Sequence, residues 1–492
     1  MRRSATLPVA AAWMLTLLAG ASLRAQEPER RYEEPPTRAQ LEPHMWMVEE
    51  MVPALLDSGE VTGLSMAFVV EAKVARTRGF GRRNAGSRER VDENTVFEAA
   101  SLTKPVVAYA ILRLVEEGVL ELDRPLSEYM AYADIADDPR AQGITARMVL
   151  SHTTGFPNWR RDEPLATRFE PGTQFGYSGE GFVYLAKVVE LLTDEPLHEL
   201  VQRLVIEPLG MTRSSLVWES RFKSNYATGH RDNGEPYEKQ RPESANAAAS
   251  LHTTATDFAR FVAAVMRSEL LEKGTVNEML TPQIEVEGAV SWGLGWGLEG
   301  RGDGLAFWHW GHNDGFRAFV IADPRMQLGM VVFTNSDNGM SIMGTLLAAA
   351  AGADQPAFEW LDYESFNSPR RVVRRRLEEK LRDAGVQAMI SEYHALKRHY
   401  PEDAFNEGLL NALGYRLLGR ERFADAIEVF KLNVDEYPEA FNPYDSLGEA
   451  YMKQGEIDLA IENYQRSVEL NPDNSNGHAM LEKLRAERAE RD

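Results

Sequence analysis

Residues Glu407 to Ala440, written above Phe441 to Asn474, give two 34-residue blocks in register. Leu413 falls on Leu447, Gly414 on Gly448, Ala426 on Ala460, Ile427 on Ile461, Phe430 on Tyr464 and Pro438 on Pro472. This spacing predicts two antiparallel helices per block: the small residue lets them approach and the proline ends the second. One helix pair cannot bury its apolar face alone, so the blocks must stack into an all-α array. A weaker half-repeat, Ala388 to Pro401, precedes them, and Gly477 to Arg488 reads as a capping helix. Two repeats seldom bury enough surface, so the array is expected to lean on its neighbours.

The blocks resemble the tetratricopeptide repeat, which implies a protein partner for this end of the chain. With 492 residues in total, the chain exceeds what one hydrophobic core serves. Its 43% hydrophobic and 26% charged content reads as globular. A formal net charge of -21 argues against nucleic acid or anionic lipid as a partner. The arginines between Arg370 and Arg376 are broken by Val372 and Val373 and followed by Glu378 and Glu379, so they read as a solvated helix face. With no cysteine, a disulfide scaffold, a thiol nucleophile and thiolate metal sites are excluded. No metal-ligand cluster stands out, and no cofactor is expected.

Arg2 and Arg3, the apolar run Leu7 to Leu18 and the small residues up to Ala25 have the order of a secretory signal, too short for a membrane span. The reading is a periplasmic or secreted protein, with no membrane attachment after removal of residues 1–25. The predicted organisation continues with a linker over 26–40, a large mixed domain over 41–353, a linker over 354–370, a helical connector over 371–405, the two repeats over 406–474, and a capping helix and tail over 475–492.

Within the domain over 41–353, Leu64 to Val70 and Lys73 to Gly79 predict a β-hairpin. Two hundred residues of mainly helical pattern follow. Strands return at Trp292 to Gly297, Ala306 to Trp310, Arg317 to Ile321 and Leu328 to Thr334, with turn signals at Asn313-Asp314-Gly315 and Asp323-Pro324. A last helix is predicted over Gly339 to Ala351. Strands at both ends and helices between predict an α+β fold: one antiparallel sheet with flanking helices and a helical subdomain.

Three stretches carry chemistry. Ser101-Leu102-Thr103-Lys104 is a Ser-x-x-Lys tetrad that opens an amphipathic helix, whose buried stripe is Val106, Val107, Ala110, Ile111, Leu114 and Val115 and whose terminator is Gly118. Three residues apart, Ser101 and Lys104 share a face at a helix N-terminus, where developing negative charge is favoured. A nearby lysine can activate a serine hydroxyl. Tyr177 stands at a Gly-rich junction, Pro171 to Gly179, leading into a helix over Phe182 to Leu192. On the strand Phe307 to Trp310, alternation puts His309 and Phe307 on one face and Trp308 and Trp310 on the other. Gly311 then leaves room for a substrate backbone. Ser220 to Lys223 also spells Ser-x-x-Lys, but loop residues follow it. Ser336-Asp337-Asn338 reads as a turn, and His198-Glu199 lacks the second histidine of a zincin helix.

In order, Ser101-x-x-Lys104, Tyr177-Ser178-Gly179 and His309-Trp310-Gly311 resemble the serine β-lactamase, DD-peptidase and esterase superfamily, most closely its class C-like branch. Ile144 to Gly155, Pro171-Gly172 and Ser250 to Asp257 resemble it too. The resemblance implies Ser101 as nucleophile forming an acyl-enzyme, with Lys104 and Tyr177 sharing the base and acid roles. It implies that His309 orients substrate or stabilises charge, and that the backbone amides of Ser101 and His312 form the oxyanion hole. The substrate is then a small acyl or peptide-like molecule. The family's Tyr-x-Asn triplet is Tyr-Ser-Gly here, so Gly179 offers no amide to hold a substrate amide group. An esterase or D-amino-acid peptidase or amidase is favoured over a β-lactamase. His152 is read as structural. If His309 is cationic in the working site, activity falls as pH rises through roughly 6.5, and His309→Lys holds activity to higher pH. The competing reading is a hydrolase relic of weak or no activity whose repeats recruit a protein partner.

Overall fold

The computed structural model describes residues 34–160, 163–301, 304–352 and 355–489. The expected signal, residues 1–25, lies outside the described residues. The chain divides into two compact units. One comprises the N-terminal stretch up to Pro53, Thr62–Asp337 and Met343–Leu361; the other comprises Ala54–Val61, Asn338–Ile342 and Asp362–Asp492.

The first unit is built on an eight-stranded antiparallel sheet. Its strands are β1 Gly63–Val70, β2 Lys73–Gly81, β5 Ile284–Glu287, β6 Val290–Trp292, β7 Gly297–Arg301, β8 Gly304–Asn313, β9 Phe316–Asp323 and β10 Leu328–Thr334, in the spatial order β2-β1-β10-β9-β8-β7-β6-β5. The β1–β2 hairpin turns through Glu71 and Ala72, both at positive φ, 55° and 51°. β1 then pairs with β10, Leu64 opposite Thr334, so the chain's two β-rich ends meet as the second and third strands from one edge of the sheet. The helix Ala255–Arg267 packs on β1, β2 and β10, with Phe258 edge-on to Phe333 at 6.0 Å.

Three expectations need correcting. Trp292 to Gly297 is not one strand: β6 ends at Trp292, and the chain turns through Gly295 at φ +84°, where a Cβ would lie 2.4 Å from that of Ala108. The linker expected over 354–370 carries a helix, Pro356–Leu361, because its aromatic residues have a surface to cover: Phe358 meets Phe319 and Trp360 meets Trp308, each pair at 6.0 Å. The first linker is also shorter than its expected 26–40, since the helix Arg38–Gly59 begins inside it.

Two short strands missed in the sequence, β3 Phe97–Ala100 and β4 Leu251–Thr253, form a small antiparallel sheet of their own, Phe97 opposite Thr253 and Ala100 opposite Leu251. At three and four residues they are too brief to show a period.

The second unit holds the repeats. Helices Glu407–Gly419 and Phe423–Glu436 form the first pair, Phe441–Gln454 and Ile457–Leu470 the second, and Ser475–Ala489 caps them. Helices Pro369–Ala384 and Val386–Leu396 precede them, and their Val373, Leu377, Met389 and Tyr393 join one core with Leu410, Phe430 and Ala460. The array therefore completes its buried surface with these preceding helices.

Candidate active site

Ser101 follows β3 directly. Ala100 carries φ +50°, a left-handed conformation for a residue with a side chain, which throws the chain out of the strand into a turn. The helix itself spans Thr103–Glu116, two residues later than the sequence suggests, and Ser101 O accepts the Lys104 N–H at 3.0 Å. Thr103 fastens the turn: its hydroxyl donates to Ala100 O at 2.6 Å and accepts the Leu251 N–H at 2.9 Å.

Lys104 is wholly buried, and its Nζ lies 3.1 Å from Ser101 Oγ. It donates to Ala248 O at 3.0 Å. Burial disfavours the ammonium form and lowers its pKa to about 7. The amine is thus poised between a proton acceptor and a proton donor near neutrality. Its Nζ also stands 4.7 Å from the centroid of the Tyr177 ring.

Tyr177 immediately precedes Ser178, the N-cap of the helix Gly179–Thr193, whose Oγ accepts the Gly181 N–H at 3.0 Å and donates to Pro157 O at 2.9 Å. The phenol ring packs 4.7 Å from Trp310 and 6.1 Å from His309. Three remote stretches, 101–104, 177–179 and 309–311, therefore meet at one place.

His309 departs from the cationic role. Its ring is wholly buried, and burial, followed by the charge of Lys104, pushes its pKa down to about 3. Nδ1 lies 2.8 Å from Trp310 O; a carbonyl can only accept, so Nδ1 carries the proton. The imidazole is neutral around pH 7, and its Nε2 is a buried lone pair with no hydrogen-bond partner among the described residues.

Gly311 also differs from expectation. A Cβ there would lie 2.4 Å from Ala99 O and 3.3 Å from the Ala100 Cβ, so the missing side chain admits the end of β3 rather than a substrate backbone. This contact sets β8 against the chain that leads into Ser101. His312 comes next on β8 with its side chain exposed, and Asn313 reaches back to Glu98 Oε2 at 3.2 Å and Ala249 O at 3.3 Å. Glu98 is ion-paired with Lys239.

Gly179 leaves a space that is filled. A Cβ there would lie 2.7 Å from the Trp159 indole and 2.9 Å from Asn158 O. That carbonyl accepts the Gly179 and Glu180 N–H groups at 3.0 and 3.2 Å. An indole with 43% of its surface exposed thus stands where the family carries an amide. Neither Trp159 nor the Ala248 carbonyl was identified from the sequence.

The other sequence candidates lie elsewhere. Ser220 and Lys223 are exposed on a short 3-10 helix, Ser220–Ser224. Asp337 serves structure, accepting from Gly315 N–H and Tyr237 Oη at 2.9 Å each and pairing with Arg317. Among the described residues no group of three or more His, Asp or Glu side chains could hold a metal, and no helix is long and apolar enough to cross a membrane.

This antiparallel sheet with flanking helices, and a Ser-x-x-Lys turn between a strand and a helix, is the α+β fold of the serine β-lactamases and penicillin-binding proteins. The chain belongs to the beta-lactamase family, whose model matches residues 48–354, and a tetratricopeptide repeat matches residues 446–474. It is similar to "Protein flp" of Staphylococcus aureus strain N315, with 23% identity over 312 residues, covering 58% of this chain and 62% of the relative. Another relative, "Unguisins hydrolase ungD" of Aspergillus violaceofuscus, is 24% identical over 345 residues, covering 58% and 60%. The chain thus spans about three fifths of the length of each relative. Among solved structures, a class C β-lactamase superposes with a TM-score of 0.56 at 19% identity, covering 64% of this chain and 98% of that one. Members of this family are generally serine hydrolases.

Proposed function

We propose that the protein is an exported serine hydrolase that forms an acyl-enzyme at Ser101 on an ester or a D-amino-acid peptide or amide. One observation carries the reading: Lys104 Nζ lies 3.1 Å from Ser101 Oγ while burial lowers its pKa to about 7. A neutral amine at that distance is a competent general base for a hydroxyl.

As Ser101 Oγ attacks the acyl carbonyl carbon, its proton passes to Lys104 Nζ. The carbonyl oxygen becomes an oxyanion held by the backbone amides of Ser101 and His312, donors worth about 3 kcal/mol each. Collapse breaks the bond to the leaving group, which takes the proton back from the Lys104 ammonium by way of the Tyr177 hydroxyl. Water then attacks the acyl ester by the same route, releasing the acid and regenerating Ser101. His309 takes part as a neutral imidazole, its bare Nε2 accepting a hydrogen bond from substrate or from Tyr177.

The Trp159 indole in place of a side-chain amide favours substrates with an apolar or aromatic group over those anchored by an amide, and makes penicillins poor substrates. The export signal in residues 1–25 directs the protein to the periplasm or medium, and the repeats recruit a protein partner. A fluorophosphonate probe followed by mass spectrometry labels Ser101, and Ser101→Ala abolishes turnover across an ester, D-peptide and β-lactam panel. Label on Ser220, or on no serine, sinks the reading.

A further inference from the structure

We propose that His152 is a positioning residue that holds Tyr177 over Lys104 by gripping the backbone on both sides of the tyrosine and bracing its ring. The inference rests on the catalytic reading above.

The grip is made by one residue twice. His152 O accepts the Gly176 N–H at 2.8 Å, and His152 Nδ1 accepts the Ser178 N–H at 3.1 Å. The N–H groups of both residues adjacent to Tyr177 are thereby tied to a single residue 25 positions before it in the chain. The imidazole itself lies 4.2 Å from the phenol ring, tilted by 35°. Tyr177 is left little freedom to swing away from Lys104.

The backbone that presents this carbonyl and this ring is itself unusual. His152 has φ +56°, in the left-handed region, just past the helix Ala146–Leu150, where its N–H donates to Val149 O at 3.1 Å. Such a conformation is uncommon for a residue with a side chain and clusters at functional sites.

The chemistry of the ring also fits. A nitrogen that accepts from a backbone N–H carries no proton, so the His152 proton sits on Nε2 and the ring is neutral. Burial, and after it the charge of Lys104, holds its pKa well below the ordinary histidine value. A protonated His152 would lose the Ser178 bond and would place a cation beside Lys104. His152 and His309 thus flank Tyr177 in opposite tautomers, one braced against the tyrosine's own backbone and the other presenting a bare Nε2.

The test compares His152→Gly and His152→Asn in the full-length protein, with active sites counted by fluorophosphonate titration of Ser101. Glycine accepts the left-handed backbone and keeps the carbonyl grip, removing only the ring. Asparagine tolerates that backbone and restores an acceptor oxygen, though not the aromatic brace. The expected kcat per titrated site falls about 100-fold in the Gly variant, the cost of a displaced catalytic group, with KM little changed. The Asn variant lies between Gly and wild type. A purely structural role would lower the number of titratable sites and leave kcat per site at the wild-type value, and that result overturns the inference. An Asn variant no better than Gly also overturns it. If the Gly variant does not fold, an Asn variant with wild-type kcat per site overturns it, and one below wild type with KM retained supports it. If the wild type takes no label on Ser101, the catalytic reading fails and the positioning role falls with it.

Discussion

The Trp159 indole occupies the space into which a side chain at position 179 would project, 2.7 Å from where a Cβ of Gly179 would stand. The Asn158 carbonyl on the same side cannot retreat, because it accepts two N–H groups from the first turn of the Gly179–Thr193 helix. Restoring the family's amide with Gly179→Asn therefore overpacks the site, at a cost of about 1–3 kcal/mol. Adding Trp159→Ala removes the indole's share of the clash and leaves that of the Asn158 carbonyl, so the double variant is more stable than the sum of the two single changes. Thermal unfolding of all four proteins in a double-mutant cycle checks this, and strict additivity contradicts it.

The proposed preference of the site for an apolar group rests on the same indole. In Trp159→Ala, kcat/KM for a phenylacetyl ester falls relative to that for the matching acetyl ester, by about tenfold for the loss of 1–2 kcal/mol of aromatic contact. An unchanged ratio, with both esters still turned over by Ser101, places the substrate's acyl side chain elsewhere.

Lys104 makes a prediction about pH with a definite sign. Its pKa is lowered from 10.5 to about 7, so the base form exists above pH 7 and is lost below it. The kcat/KM profile should rise with pH through about 7. The unfolded chain holds this proton up to about pH 10.5 and the folded chain only up to about 7, so this group makes the protein more stable as pH rises between those values. Lys104→Met should therefore be inactive yet more stable than wild type at pH 7, by a few kcal/mol, with a flatter dependence of stability on pH. Denaturant melts from pH 7 to 10 read the difference; a Met variant less stable than wild type at pH 7 contradicts it.

Much of this site was legible in the sequence because its partners sit at fixed local spacings. Ser101 and Lys104 are three residues apart at a helix start, Tyr177 stands at a Gly-rich junction and His309 on an alternating strand. The repeats were legible because Phe430 and Tyr464 recur at the same phase. What escaped depends on tertiary approach. Ala248 O, the acceptor of Lys104, lies 144 positions away and contributes a backbone atom that any residue could supply. The neutral state of His309 follows from complete burial, which a single histidine in a sequence does not announce. Gly311 was read as room for a substrate backbone and Gly179 as a missing amide, whereas the space at each is taken up, by Ala99 and by Trp159. The left-handed conformation of His152 has no glycine or asparagine to mark it.

His309 gives a contrasting pH prediction. With its pKa pushed down to about 3, it adds no limb to the activity profile between pH 5 and 8, and His309→Gln leaves the limb near 7 in place. A lysine there introduces a second buried amine beside Lys104. Like charges oppose each other's protonation, so His309→Lys moves the acid limb below that of wild type rather than extending activity to higher pH. A pH–rate profile of the two variants beside wild type separates these outcomes.

In the repeat unit the two aligned glycines differ in how tightly they are used. A Cβ at Gly414 would lie 2.4 Å from Phe430, whereas one at Gly448 would lie 3.0 Å from Tyr464. Both aromatic rings are almost fully buried, so neither can turn outward to make room. Alanine at 414 must shift the Phe430 ring or part the helices Glu407–Gly419 and Phe423–Glu436, which costs about 1–3 kcal/mol. Alanine at 448 needs only a few tenths of an ångström, and its gain in helix propensity, about 1 kcal/mol, offsets most of the strain. Gly414→Ala should therefore lower the unfolding midpoint of the repeat unit clearly and Gly448→Ala barely. Adding Phe430→Leu to Gly414→Ala should recover part of the loss. Denaturant melts followed by helical circular dichroism measure all three, and equal effects of the two alanines would mean that the helix pairs adjust as independent, equally compliant units.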